Sequence, residues 1–129
     1  MYCLDTNIVV DILRGDRELA KRVAKEVEEG DVFLTPVSLC ELYRGVFGHS
    51  KPEQKEIILN LFISNFSLTS FSDDACRIFG EIYNSLKKKG KTVSEFDLMI
   101  ASIAKANDLV LVTRDKKHFE NLGIRVEVW

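Results

Sequence analysis

At 129 residues and 14.7 kDa the chain has the length of one domain, enough to bury roughly two-thirds of its unfolded surface. Hydrophobic residues at 46% and charged residues at 29% exclude a disordered tail and a chain built of membrane spans. The formal net charge of −2 shows none of the basic surplus that polyanion binders usually carry.

The chain opens Met1-Tyr2-Cys3-Leu4-Asp5, with no basic segment and no apolar stretch of secretory length, so a cytoplasmic address is expected. The run over 2–4 predicts a buried strand that stops at Asp5. Asp5 is a preferred N-cap residue for a helix beginning near Asn7. It serves equally well as a ligand, with Thr6 and Asn7 as short polar groups that orient it. Residues 17–29 place Leu19, Ala20, Val23, Ala24 and Val27 on one helical stripe, and 32–34 read as a second strand. Pro36 ends that strand region, Ser38 starts a helix through about Phe47, and Pro52 opens another to about Asn65. Glu41 stands three residues after Ser38, the spacing of a capping box, and Arg44 offers it an ion pair.

A third strand is expected over 67–69, followed by a helix over 72–89 with Ala75, Phe79, Ile82 and Leu86 on its apolar face. Lys87, Lys88, Lys89 and Lys91 suit either a solvated helix end or a phosphate backbone. Ser94 and Asp97 repeat the capping-box spacing. Phe96, Leu98, Met99, Ile100 and Ile103 surround Asp97, which makes this helix apolar nearly all round and central. A carboxylate left unpaired there would cost several kcal/mol, so something positive should face it. Leu109 to Val112 predict a fourth strand, followed by Thr113 and by Asp115 as a turn residue or a ligand. Lys116 and Lys117 stand beside Asp115 as candidate phosphate contacts, and 126–128 read as the last strand. His49 and His118 lie at no ligand spacing and read as surface or packing residues, with His118 a minor candidate for phosphate contact. Cys3, Cys40 and Cys76 are odd in number, far apart and in apolar surroundings, which predicts reduced, buried thiols.

Strands alternating with helices predict an α/β fold of one domain, 1–129, with a mostly parallel sheet, because parallel strands need crossovers. Ligands in such folds bind beyond the carboxyl ends of the strands. Asp5 and Asp115 fall at such ends, and Glu41 and Asp97 fall near helix starts. A fold that gathers these four oxygen donors suits a divalent cation such as Mg2+ or Mn2+, which lowers the pKa of bound water and needs no histidine base. Setting the four aside leaves sixteen acidic residues of the twenty against eighteen basic ones, so a polyanion partner stays open. Phe62, Ile63 and Phe66, with 126–129, supply either an exposed patch for a second subunit or buried packing.

The motifs Leu4-Asp5-Thr6-Asn7, Glu41-Leu42 with Gly45, Phe96-Asp97-Leu98-Met99-Ile100-Ala101 and Thr113-Arg114-Asp115 together resemble a PIN domain, most closely the VapC-type ribonuclease toxins. The resemblance spans Asp5 to about Phe119. It implies a three-layer α/β/α fold around a central, mostly parallel twisted sheet. It also implies Mg2+- or Mn2+-dependent RNA cleavage, a homodimer, and a cognate VapB-like antitoxin protein that blocks the acidic cleft. By this resemblance Asp5, Glu41, Asp97 and Asp115 are the catalytic, metal-binding carboxylates and Thr6, Asn7 and Thr113 support them. The family also fills the position of Asp115 with Asn. Two alternatives stand beside it: a non-catalytic PIN-like module that grips RNA or protein, and a receiver-like phosphoacceptor. The latter lacks an acceptor Asp between Asp31 and Asp73.

Overall fold

The computed structural model describes residues 1–129. In chain order the elements are β1 (Tyr2–Leu4), α1 (Thr6–Leu13), α2 (Arg17–Glu28), β2 (Val32–Leu34), α3 (Pro36–Phe47), α4 (Pro52–Ile63) and β3 (Ser67–Leu68). After these come α5 (Asp73–Lys88), α6 (Glu95–Ala106), β4 (Val110–Thr113), a 3-10 turn (Lys116–Phe119) and β5 (Val126–Val128). The five strands form one sheet in the order β3-β2-β1-β4-β5, and every pair is parallel.

Side chains alternate across a strand, and here the alternation divides the core in two. Leu4 and Val112 face a cluster with Ile8, Leu19, Leu42 and Leu59 from α1 to α4. Cys3 and Leu111 face the opposite way, toward Ala75 and Leu86 of α5 and Leu98, Ile100 and Ile103 of α6. Helices therefore cover both faces, giving the three layers. Leu98, Ile100 and Ile103 are fully buried, each contributing roughly 1.5–3 kcal/mol of apolar burial, which makes α6 the central helix its composition predicts. No helix is long and apolar enough to cross a membrane.

Several local expectations are corrected. Helix α3 begins at Pro36, not Ser38: Thr35 is the N-cap, its hydroxyl accepting from the Ser38 N–H at 3.0 Å. Proline at the first helical position loses no hydrogen bond, so Pro36 starts this helix as well as ending the strand. Glu41 consequently lies in the second turn, without the first-turn position that the capping-box reading gave it. The third strand stops at Leu68, and both of its residues are exposed because it is a sheet edge; the fourth starts at Val110. Of the cysteines only Cys3 is buried, whereas Cys40 and Cys76 are exposed on helix faces turned to solvent. Phe62, Ile63 and Phe66 pack inward, and Trp129 is buried edge-on to Tyr2 beneath Arg22. The large exposed apolar side chains include Ile57, Ile58 and Leu61 of α4 instead.

The sheet order matters for function. From β1 the chain builds outward through β2 and β3, then crosses to β4 on the other side. A crevice opens at the carboxyl ends of β1 and β4, where the winding reverses. Asp5 follows β1 and Thr113 ends β4.

Candidate active site

Asp5 sits at the bottom of this crevice, 5% exposed. Its backbone N–H extends the ladder to the Val112 carbonyl at 2.8 Å, which fixes where the side chain starts. One carboxylate oxygen accepts from the Thr6 N–H and the other from the Thr113 hydroxyl, both at 2.8 Å. Asp5 is thus the N-cap of α1, as its alternative reading held, and also a floor residue of the crevice. Burial, and to a lesser degree the nearby Asp97 and Glu41 carboxylates, push its pKa up to about 6, against the opposing pull of its two hydrogen bonds.

Two hydroxyls tie Glu41 and the Asp115 backbone to this point. Thr6 donates to Glu41 at 2.7 Å, so α1 and α3 meet through a neutral bridge. Thr113, fully buried, accepts from the Asp115 N–H at 3.1 Å and from the Asn7 amide at 3.4 Å while donating to Asp5. Asp97 projects from the first turn of α6. Its capping-box alternative is not realised, since the Ser94 side chain makes no capping hydrogen bond. Burial raises the Asp97 pKa; His118 lowers it, and Glu41 and Asp115 raise it further. Asp115 caps the 3-10 turn, accepting from the Lys117 N–H at 3.1 Å.

Asp97 and Glu41 therefore lie near enough to act on Asp5, and Glu41 and Asp115 near enough to act on Asp97. Their balancing cations are sparse: only Glu41 has an arginine, with the exposed Arg44 guanidinium 3.8 Å away. His118 stands between the others, Nδ1 3.4 Å from Asp97 and Nε2 3.2 Å from Asp115. His118 is a surface residue, as its sequence reading held, and the structure adds that it bridges these two acids. The signal was its position three residues after Asp115, which one helical turn brings to the same side. Lys117 lines a hollow with Asp97 and His118, whereas Lys116 lines a different one with Ile124 and Val126. Only one of the two candidate phosphate contacts is brought to the crevice.

No group of three or more His, Cys, Asp or Glu side chains stands close enough, as placed, to hold a metal ion. Each carboxylate is turned instead toward a hydroxyl, an N–H, Arg44 or His118. The donor set still fits a hard divalent cation: four carboxylates supply oxygen ligands, and the buried Asp5 has no lysine, arginine or histidine partner for a charge that its neighbours oppose.

Arg114, which sequence reasoning passed over, anchors the loop that carries Thr113 and Asp115. Its Nε donates to Asp11 at 2.9 Å, Nη1 to the Trp129 carbonyl at 2.7 Å, and Nη2 to Asp16. Its backbone N–H reaches the Asn7 amide oxygen at 3.4 Å. Gly15, at φ +107, makes the turn from α1 that presents Asp16 to it, a conformation natural to glycine.

Comparison with known proteins agrees with this architecture. The PIN domain family model matches residues 2–124. Ribonuclease VapC2 of Haemophilus influenzae is 30% identical over 130 residues, covering 99% of this chain and 97% of that protein. The tRNA(fMet)-specific endonuclease VapC of Shigella flexneri is 29% identical over 129 residues, with 99% and 97% covered. The crystal structure of VapBC2 from Rickettsia felis bound to a promoter DNA fragment matches with a TM-score of 0.93 at 30% identity. It covers 99% of this chain and 98% of that one.

Proposed function

Because the chain belongs to the PIN domain family, we propose that it is a Mg2+- or Mn2+-dependent endoribonuclease and the toxin of a type II toxin–antitoxin pair. The observation that carries this reading is the buried Asp5 at the β1/β4 crevice, facing Asp97 and Glu41 without a cation of its own. Relatives named as ribonucleases, and similarity to a VapBC structure, support the substrate class and the antitoxin partner. A homodimer and a cytoplasmic site of action complete the reading. Nothing in the site favours the alternative of a module that binds RNA or protein without cutting.

In this reading Asp5 and Asp97 hold the cation, with Glu41 and Asp115 completing or water-bridging its shell. The ion, when bound, lowers the pKa of water and neutralises charge on the scissile phosphate. The chain's own groups set the geometry. Thr113 and the Thr6 N–H fix both oxygens of Asp5, and the Thr6 hydroxyl holds Glu41 against the same floor. Asn7 braces Thr113, so the groups around Asp5 are held by partners that are themselves held. Lys117 contributes a positive charge at the edge of the hollow, suited to a phosphate oxygen. Hydrolysis in line with this geometry leaves a 5′-phosphate and a 3′-hydroxyl.

Digestion of structured and unstructured RNA with added Mn2+, comparing the wild type with Asp97→Asn, tests the reading. Cleavage should appear with metal and vanish with EDTA and in the variant. Cleavage that persists in both, with the variant folded, overturns it.

A further inference from the structure

Lysines distant in sequence line two adjoining hollows. A hollow of about 470 Å³ starts at Asp97, His118 and Lys117 and extends past Ser94 and Thr92 to Lys91. A second, of about 450 Å³, shares Leu86, Lys91, Thr92 and Val93 with the first and continues to Lys87 and Tyr83. The two hollows adjoin at these shared residues, and the second lies farther from the acidic centre. Gly90, at φ +67, ends α5 and turns the chain into the loop that carries Lys91, Thr92 and Val93.

We propose that these two hollows form a track for single-stranded RNA, in which Lys117 and Lys91 hold successive stretches of the phosphate backbone and Tyr83 stacks a base. The inference rests on the ribonuclease reading and adds the route of the strand. The polar side chains along the track are free for a ligand: Lys91, Thr92, Ser94, Lys117 and Asn121 take part in none of the protein's side-chain hydrogen bonds or ion pairs. At the acidic end His118 pairs with Asp97 and Asp115. Glu95 and Glu120 also line the hollows, so the cations act locally at Lys117, Lys91 and Lys87 and do not form a uniform strip. Tyr83 is 41% exposed and is backed by Phe79 in a stacked arrangement, centroids 6.1 Å apart and planes 20° from parallel. An exposed ring supported from behind is the platform that unpaired bases use, and paired bases cannot reach it.

Fluorescence anisotropy of a labelled, unstructured RNA of about 12 nucleotides, measured on the whole protein in EDTA so that nothing is cut, tests the track. Lys91→Gln should weaken binding about 3–10-fold and reduce the salt slope by about 0.7, the share of one single-strand phosphate contact. Tyr83→Ala should weaken it about 5–30-fold, with Tyr83→Phe restoring wild-type affinity. A duplex of the same sequence should bind without regard to Tyr83. Lys25→Gln, an equal charge change on α2, should leave binding unaltered. Wild-type affinity in both Lys91→Gln and Tyr83→Ala, or no binding of RNA by the wild type, overturns the track. If the variants lose binding as expected while the wild type cuts no RNA with Mn2+, the track stands and the nuclease reading falls. If the wild type cuts and the variants bind normally, only the track falls.

Discussion

Replacing Asp5 with asparagine should stabilise the metal-free protein while destroying its activity. In the folded chain burial, and then the Asp97 and Glu41 charges, put the Asp5 pKa at about 6, whereas an unfolded aspartate titrates near about 3.9. The folded state therefore binds this proton more tightly than the unfolded one. Stability falls as pH rises from about 4 and the penalty is complete above about 6, where it amounts to roughly 3 kcal/mol. Asp5→Asn removes the charge but has a single acceptor oxygen, so it keeps only one of the two hydrogen bonds from the Thr6 N–H and the Thr113 hydroxyl, at a cost of about 1–2 kcal/mol. The net gain is roughly 1–2 kcal/mol, or about 3–8 °C in Tm for a domain of this size. Thermal denaturation in EDTA from pH 4 to pH 8 reads it directly: the variant should melt higher at pH 7.5, and the gap should shrink with falling pH and reverse near pH 4. Mn2+ at about a hundred times its Kd should raise the wild type by about 2.7 kcal/mol and the variant far less. A variant less stable than the wild type at pH 7.5, or a gap that does not change with pH, refutes the charge argument.

Other substitutions probe the supports. Thr113→Val removes the hydroxyl that Asp5, Asn7 and the Asp115 N–H share; it should cost about 1–3 kcal/mol of stability by urea unfolding and at least about tenfold in cleavage rate. Arg114→Lys keeps the charge but cannot reach Asp11, Asp16 and the Trp129 carbonyl together, and should lose about 1–2 kcal/mol, with a change in the fluorescence of Trp129. His118→Ala frees Asp97 and Asp115, so calorimetry should show Mn2+ binding a few-fold tighter; weaker binding would mean that the imidazole is itself a ligand.

The parts of this design that are local were legible in the sequence. Asp5 and Asp115 stand out because apolar runs stop at or just before them, and a parallel sheet puts such stops on one rim. Asp97 stands out because a helix apolar on every side leaves a carboxylate nowhere to hide. Glu41 was found for a partly wrong reason: the Ser38 spacing suggested a capping box, while the Thr35-Pro36 pair, an equally readable start signal, placed the acid one turn deeper. Arg114 was missed because its role depends on partners that only the fold supplies, and the same holds for the contact of His118 with Asp97, though not for its local one with Asp115. Arg114 meets Asp11 and Asp16 across about a hundred residues, and no pattern within a window of helix or strand length records that. The exposure of β3 was equally hidden, since a two-residue edge strand and a central one read alike until the sheet order is known.

The placement of Arg114 bears on why the crevice suits a divalent ion. It lies between Thr113 and Asp115, the nearest arginine in sequence to the acidic rim, and a guanidinium turned inward would neutralise the carboxylates permanently. Its three donor nitrogens are engaged on the opposite side, by Asp11, Asp16 and the Trp129 carbonyl, so the strongest local cation orders the loop without entering the site. The groups that do contact the buried Asp5 are neutral: a hydroxyl and a backbone N–H. Neutral donors hold the carboxylate in position yet leave its charge uncancelled. The elevated Asp5 pKa follows from that arrangement, and a doubly charged ion that enters can collect the attraction of several acids at once. An arginine introduced on the inner side, as in Thr6→Arg, should therefore return the Asp5 pKa toward the ordinary carboxylate range and abolish Mn2+ binding by calorimetry, and undiminished metal affinity in that folded variant would sink the reasoning.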